Sequence, residues 1–117
     1  MACIMFVDSD VSYTRYLKAV VLAHEPEWDV IEAHSQSEAL SLQGERSIDA
    51  IAMNRNFSEM DPAQLLQQLH DLQPQAKMAM MAKPPQLEEL ELPAIELAWI
   101  AKPMTEQKLM GFLYGHC

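Results

Sequence analysis

Short apolar runs alternate with amphipathic segments five times along this chain, and a buried strand followed by a helical stripe is the simplest reading of each repeat. Residues 3–7 (CIMFV) are apolar throughout and too short for a helix, so they predict a buried strand. Over residues 11–24, Leu17, Val20, Val21 and His24 fall at helical spacing; Asp10 is placed to cap the helix and Pro26 follows it. Residues 28–33 alternate apolar and polar, the pattern of a half-buried edge strand. Ser35-Gln36-Ser37-Glu38 is a capping box opening a second helix, and Gly44 stops it. Residues 48–53 (IDAIAM) predict a third strand. Asp61-Pro62 begins a third helix with Leu65, Leu66, Leu69 and Leu72 as its buried stripe, and Pro74 closes it. Residues 78–82 and 96–101 predict the last two strands. Between them Pro84, Pro85 and Pro93 leave room only for a shortened fourth helix over residues 87–92. Thr105 caps a final helix whose apolar face includes Leu109, Phe112 and Leu113.

Helical crossovers between buried strands require parallel pairing and right-handed connections. The expectation is an α/β fold: one domain over residues 1–117, a five-stranded parallel sheet, doubly wound as (βα)5. Ligands in such sheets bind beyond the C-terminal strand ends. Asp8-Ser9-Asp10 follows the first strand, Asn54 closes the third, and Lys102-Pro103 follows the fifth, so all of them converge there.

Composition narrows the function classes. At 117 residues the chain is large enough to build a core without staples. A formal charge of −9, with the eight basic residues scattered, argues against nucleic-acid binding by this domain. No apolar stretch approaches the ~20 residues of a membrane span, and no secretory leader is recognisable. Cys3 and Cys117 lie at opposite ends and make no disulfide framework, so a cytoplasmic protein with reduced thiols is expected. The nine methionines point to an adaptable core more than to a contact surface. No G-x-G-x-x-G, Walker loop, nucleophile elbow or histidine-rich metal spacing supports an enzyme. His24, His34, His70 and His116 lack ligand spacing.

Four segments together resemble the receiver domain of bacterial response regulators, over essentially the whole chain. They are Ile4-Met5-Phe6-Val7-Asp8-Ser9-Asp10; residues 48–54 with the loop from Arg55 to Pro62; residues 78–83; and Trp99-Ile100-Ala101-Lys102-Pro103. The resemblance implies a flavodoxin-like or receiver-like sheet of order 2-1-3-4-5 and a cis Lys102–Pro103 bond. It also implies a pocket in which an aspartate takes a phosphoryl group from a histidine kinase, beside Mg²⁺. On that pattern Asn54 stands at the phospho-acceptor position, Asp8 and Ser9 at the two acids, and Asn56 at the loop carbonyl. Ala82, or Met81 if the register moves by one, stands at the Thr/Ser switch position. Trp99 is the switch aromatic and Lys102 the phosphate-pairing lysine.

Three departures bear on one mechanism. Asn54 brings an amide where a nucleophilic carboxylate is needed. Ser9 removes an acid, although Asp10 is close enough in sequence to reach in, and Ala82 removes a hydroxyl. Mg²⁺ prefers hard anionic oxygens in an octahedral shell, so no cofactor is expected, with Asp8 and Asp10 as weak metal candidates. Those two acids read equally as a helix cap and a solvated loop acid. Lys102 reads as Asp8's ion-pair partner or as a ligand-binding lysine. The Asn54 amide can donate as well as accept, and so can bridge Asp8 and Lys102 without phosphate. Trp99 is an interface anchor or an ordinary packed aromatic.

The expected function is that of a phosphorylation-independent pseudo-receiver, a protein–protein interaction module and not an enzyme. Its partner would be another domain of a longer regulator, or a second copy in a homodimer. The face used would be formed by the fourth helix, fifth strand and fifth helix, with Glu88, Glu89 and Glu91 making it negative. The alternative is a small-anion or metabolite sensor using the remnant pocket at Lys102.

Overall fold

The alternating pattern becomes a parallel sheet with helices on both faces. The computed structural model describes residues 2–44, 46–55, 61–83 and 97–115. The chain runs β1 (Cys3–Val7), α1 (Val11–His24), β2 (Asp29–Ala33), α2 (Gln36–Gln43), β3 (Ala50–Asn54), α3 (Pro62–Leu72), β4 (Lys77–Ala82), β5 (Leu97–Ala101) and α4 (Glu106–Tyr114). All five strands pair in parallel in the order β2-β1-β3-β4-β5. Both the sheet and its order agree with expectation. β3 starts two residues later than residue 48, so Asn54 is itself the last residue of the strand. The shortened helix expected over 87–92, with Pro84, Pro85, Pro93, Glu88, Glu89 and Glu91, lies outside the described residues.

Helix starts follow the capping chemistry read from the sequence. The Asp10 carboxylate accepts the Tyr13 N–H, Ser35 Oγ the Glu38 N–H, Asp61 the Ala63 N–H, and Thr105 Oγ1 the Lys108 N–H. Each satisfies a donor that has no partner inside its helix. Gly115 closes α4 at φ +80°, a left-handed position that suits glycine.

The core lies in two layers. On one face, α1 and α4 bring Leu17, Val21, Leu109, Phe112 and Leu113 against Ile4, Phe6, Ala50, Ala52, Ala79, Met81 and Ile100. On the other, α2 and α3 bring Ala39, Leu65, Leu66 and Leu69 against Met5, Val7, Ile31, Ile51, Met53, Met78 and Met80. Every described methionine is buried, which fits the core reading of those residues.

Two positions of the expected stripes turn outward. Leu72 is 51% exposed. The inward position at the end of α3 belongs instead to Gln73, four residues after Leu69, where its amide is needed for hydrogen bonds. His24 is exposed at the end of α1, where its imidazole pairs with the Glu106 carboxylate at the start of α4.

Candidate functional site

β1 is buried on both faces and delivers Asp8 to the C-terminal rim at 1% exposure. The Asp8 backbone N–H donates to Ala33 O at 3.0 Å, which anchors the residue to the end of β2. The pairing of Val7 with Met53 sets Asn54 beside Asp8. On the other side, the Lys102 N–H donates to Ala82 O at 2.9 Å, just past the Ala82–Ala101 pair. The rim therefore gathers side chains from β1, β3 and β5, and sheet register accounts for their meeting.

The Asp8 carboxylate is the hub. Its Oδ2 pairs with Lys102 Nζ at 2.9 Å. Its Oδ1 accepts from Asn54 Nδ2 at 3.2 Å and from the Asp10 N–H at 3.0 Å. A carboxylate this deep costs several kcal/mol unless it is paired and hydrogen-bonded; here both oxygens are engaged. The bridging role foreseen for the Asn54 amide falls to Asp8, which gives one oxygen to Asn54 and the other to Lys102. Lys102 is 15% exposed and precedes a cis peptide bond to Pro103.

The other expected site residues divide. Ser9 and Asp10 are exposed. Asp10 does not reach in: its carboxylate caps α1 through the Tyr13 N–H, 3.1 Å away. Ala82 is fully buried at the end of β4. Met81 pairs with Asn54 in register and accepts the Arg55 N–H at 2.7 Å, with its side chain in the α1/α4 core. Trp99 is half-buried in β5 opposite Met80 and packs against the α2/α3 core. Asn56 lies outside the described residues.

Two residues that the sequence did not single out join the site. Tyr13 sets its ring 4.6 Å from Lys102 Nζ, and its hydroxyl accepts the Met104 N–H at 2.9 Å. Burial, with the Asp8 charge nearby, raises the Tyr13 phenol above its ordinary value despite the Met104 hydrogen bond, which acts the other way. Lys83, exposed just after β4, shares a depression of about 470 Å³ with Asp10, Tyr13, Lys102 and Pro103. The signal for Tyr13 was present in part: an aromatic in the first turn of α1 lies next to the acid cluster.

Among the described residues, the side chains of the rim offer a divalent cation few free donors. Asp8 is the only buried acid of the rim among the described residues, its oxygens are engaged by Lys102, Asn54 and the Asp10 N–H, and Ser9 offers no carboxylate. No three His, Cys, Asp or Glu side chains among the described residues come together as a metal site.

No family model and no curated protein matches the chain. Solved structures do. A response regulator receiver domain protein from Clostridium thermocellum superposes with a TM-score of 0.83 at 18% identity, covering 99% of this chain and 94% of that one. The chemotaxis response regulator CheY4 of Vibrio cholerae gives 0.80 at 19% identity over 100% and 99%. A response regulator protein from Burkholderia pseudomallei, solved with a phosphorylated aspartic acid, a calcium ion and citrate, gives 0.80 at 19%, over 97% of this chain and 66% of that one. The fold of this chain is that of response regulator receiver domains, sheet order included. No helix among the described residues is long and apolar enough to cross a membrane.

Proposed function

We propose that this chain is a pseudo-receiver, a module of bacterial two-component-type signalling that acts by binding protein partners without aspartyl phosphorylation. The observation that supports it is the closed set of Asp8, Asn54 and Lys102. The amide of Asn54 has no anionic oxygen with which to attack phosphorus. A cation seeking Asp8 must displace the Lys102 ammonium, which already supplies the positive charge. The Burkholderia pseudomallei protein of this fold carries a phosphorylated aspartic acid; here the third strand ends in asparagine.

The partner is another domain of a longer regulator or a second copy of the chain. The surface proposed for it is built on β5 and α4, with the half-buried Trp99 as anchor, while the fourth-helix part of the expected face lies outside the described residues. The test is incubation of the wild type and Asn54→Asp with Mg²⁺ and acetyl phosphate, read by intact mass. The wild type is expected to stay unmodified, and the variant to gain at most one phosphoryl group. A phosphorylated wild type would overturn the reading.

A second reading is favoured by Lys83, which brings a second ammonium to the depression beside Lys102. Here the module senses a small anion. A thermal-shift screen with phosphates and nucleotides separates the two, since only the sensor gains stability in a Lys102-dependent way.

A further inference from the structure

The inner side of the ion pair is held by Asp8, which Asn54 and the Asp10 N–H fix in place. Its outer side faces the depression, and there, among the described residues, Tyr13 sets its ring over the ammonium. A lysine head on a four-carbon stem gives up considerable rotamer freedom to stay in one place, so something must favour that place over water. The Tyr13 ring does so in two ways. Its face attracts a cation, the more strongly when the cation is desolvated, and Nζ lies 4.6 Å from its centroid at 15% exposure of the lysine. The ring is itself fixed at both ends. Its backbone N–H is held by the Asp10 carboxylate at 3.1 Å, and its hydroxyl by the Met104 N–H at 2.9 Å, two residues past the lysine it covers.

We propose that Tyr13 is a latch, a positioning residue that holds the Lys102 ammonium on Asp8 and ties the loop after β5 to α1, keeping the rim closed. This rests on the pseudo-receiver reading and names the residue that keeps such a module in one state. Ordinary packing is the competing account, because Tyr13 also borders the α1/α4 core. Packing alone predicts no selective change at Lys102.

The chain contains its own reference, since Lys83 lines the same depression and is exposed. Intact protein is treated with a limiting amount of an amine-acetylating ester, and acetylation of Lys102 relative to Lys83 is read by peptide mass. Wild type is compared with Tyr13→Leu and Tyr13→Phe, each checked for native circular dichroism. Tyr13→Leu is expected to raise the Lys102:Lys83 ratio on the order of tenfold, the range of a desolvated cation–π contact. Tyr13→Phe keeps the ring and is expected to hold the ratio within about twofold of wild type. Both variants speed hydrogen exchange at the Met104 amide, because both lose its acceptor. If the leucine variant does not fold, Tyr13→Met, of similar bulk but without an aromatic face, is read in its place.

An unchanged ratio in a folded leucine or methionine variant overturns the latch. So does a wild type in which Lys102 reacts as fast as Lys83. Phosphate uptake by the wild type sinks the pseudo-receiver reading instead and leaves the labelling ratios as they are, so the two failures are distinguishable.

Discussion

The two ends of the sheet each bury polar side chains, and they satisfy them by opposite means. At the C-terminal rim the buried group is a charge, Asp8, neutralised by a lysine 94 positions away in the chain. At the N-terminal end it is a neutral amide. Gln73 Oε1 accepts the Ile48 N–H at 3.0 Å, while its Nε2 donates to Gln43 Oε1 at 3.0 Å and to Arg46 O at 2.8 Å. The amide network joins the ends of α2 and α3 to the approach to β3, mostly through backbone groups. It is a fastening, and its side chains are equally at ease at any ordinary pH. The rim instead depends on one ion pair whose members follow different strands, Asp8 after β1 and Lys102 after β5. That difference makes the closure of the rim dependent on charge, while the opposite end holds together without it.

The comparison breaks most visibly if charge at the rim does not matter. Lys102→Met leaves Asp8 as an uncompensated buried carboxylate and is expected to cost about 3–5 kcal/mol in chemical denaturation. Adding Asp8→Asn should recover much of that loss, and a double mutant no more stable than the single would show that the pair is not the source. Next in size is Asn54→Asp, which removes a donor to Asp8 and brings a second carboxylate beside it. A loss of about 2 kcal/mol without divalent cations is expected, partly restored by Mg²⁺ in the variant and not altered by Mg²⁺ in the wild type. At the other end, Gln73→Ala strands the Ile48 N–H and the Arg46 carbonyl. It should cost about 1–3 kcal/mol, with the same loss at pH 6 and pH 8. A loss that varied across that interval would contradict a purely neutral network.

The smallest effect is alkaline. The folded state raises the Tyr13 phenol above its ordinary value of 10.0, chiefly by burial, so folding favours the neutral phenol. That contribution is whole below the ordinary value and drains as pH rises through the folded one. Tyr13→Phe should therefore lose less stability than wild type when denaturation midpoints at pH 9 and pH 11 are compared. Parallel losses would remove Tyr13 from the account.

The elements were legible in the sequence because their causes are local. Apolar runs, caps and prolines placed all five strands and every described helix to within about two residues, the usual uncertainty at element ends. Asp8, Asn54 and Lys102 were legible as strand-end residues for the same reason. What was not legible involved a choice between elements. Leu72 continues the helical stripe of α3, yet Gln73 takes the inward place because Ile48 and Arg46 need its amide. His24 fits the stripe of α1, yet Glu106 waits outside it. Asp10 lies close enough in sequence to join Asp8, but its carboxylate is already spent on the N-cap. Periodicity says which face a residue occupies and nothing about which partner competes for it.

By itself the sequence determined a parallel α/β sheet with three polar positions, Asp8, Asn54 and Lys102, at one rim. Those follow from composition and short-range pattern, which act before the chain is packed. Only the tertiary structure decided how the rim is closed, with Lys102 on one oxygen of Asp8, Asn54 on the other, and Tyr13 across the ammonium. The reason is physical: a buried carboxylate takes whichever donors the finished sheet register and loop positions bring within hydrogen-bond reach, and these come from residues up to 94 positions apart.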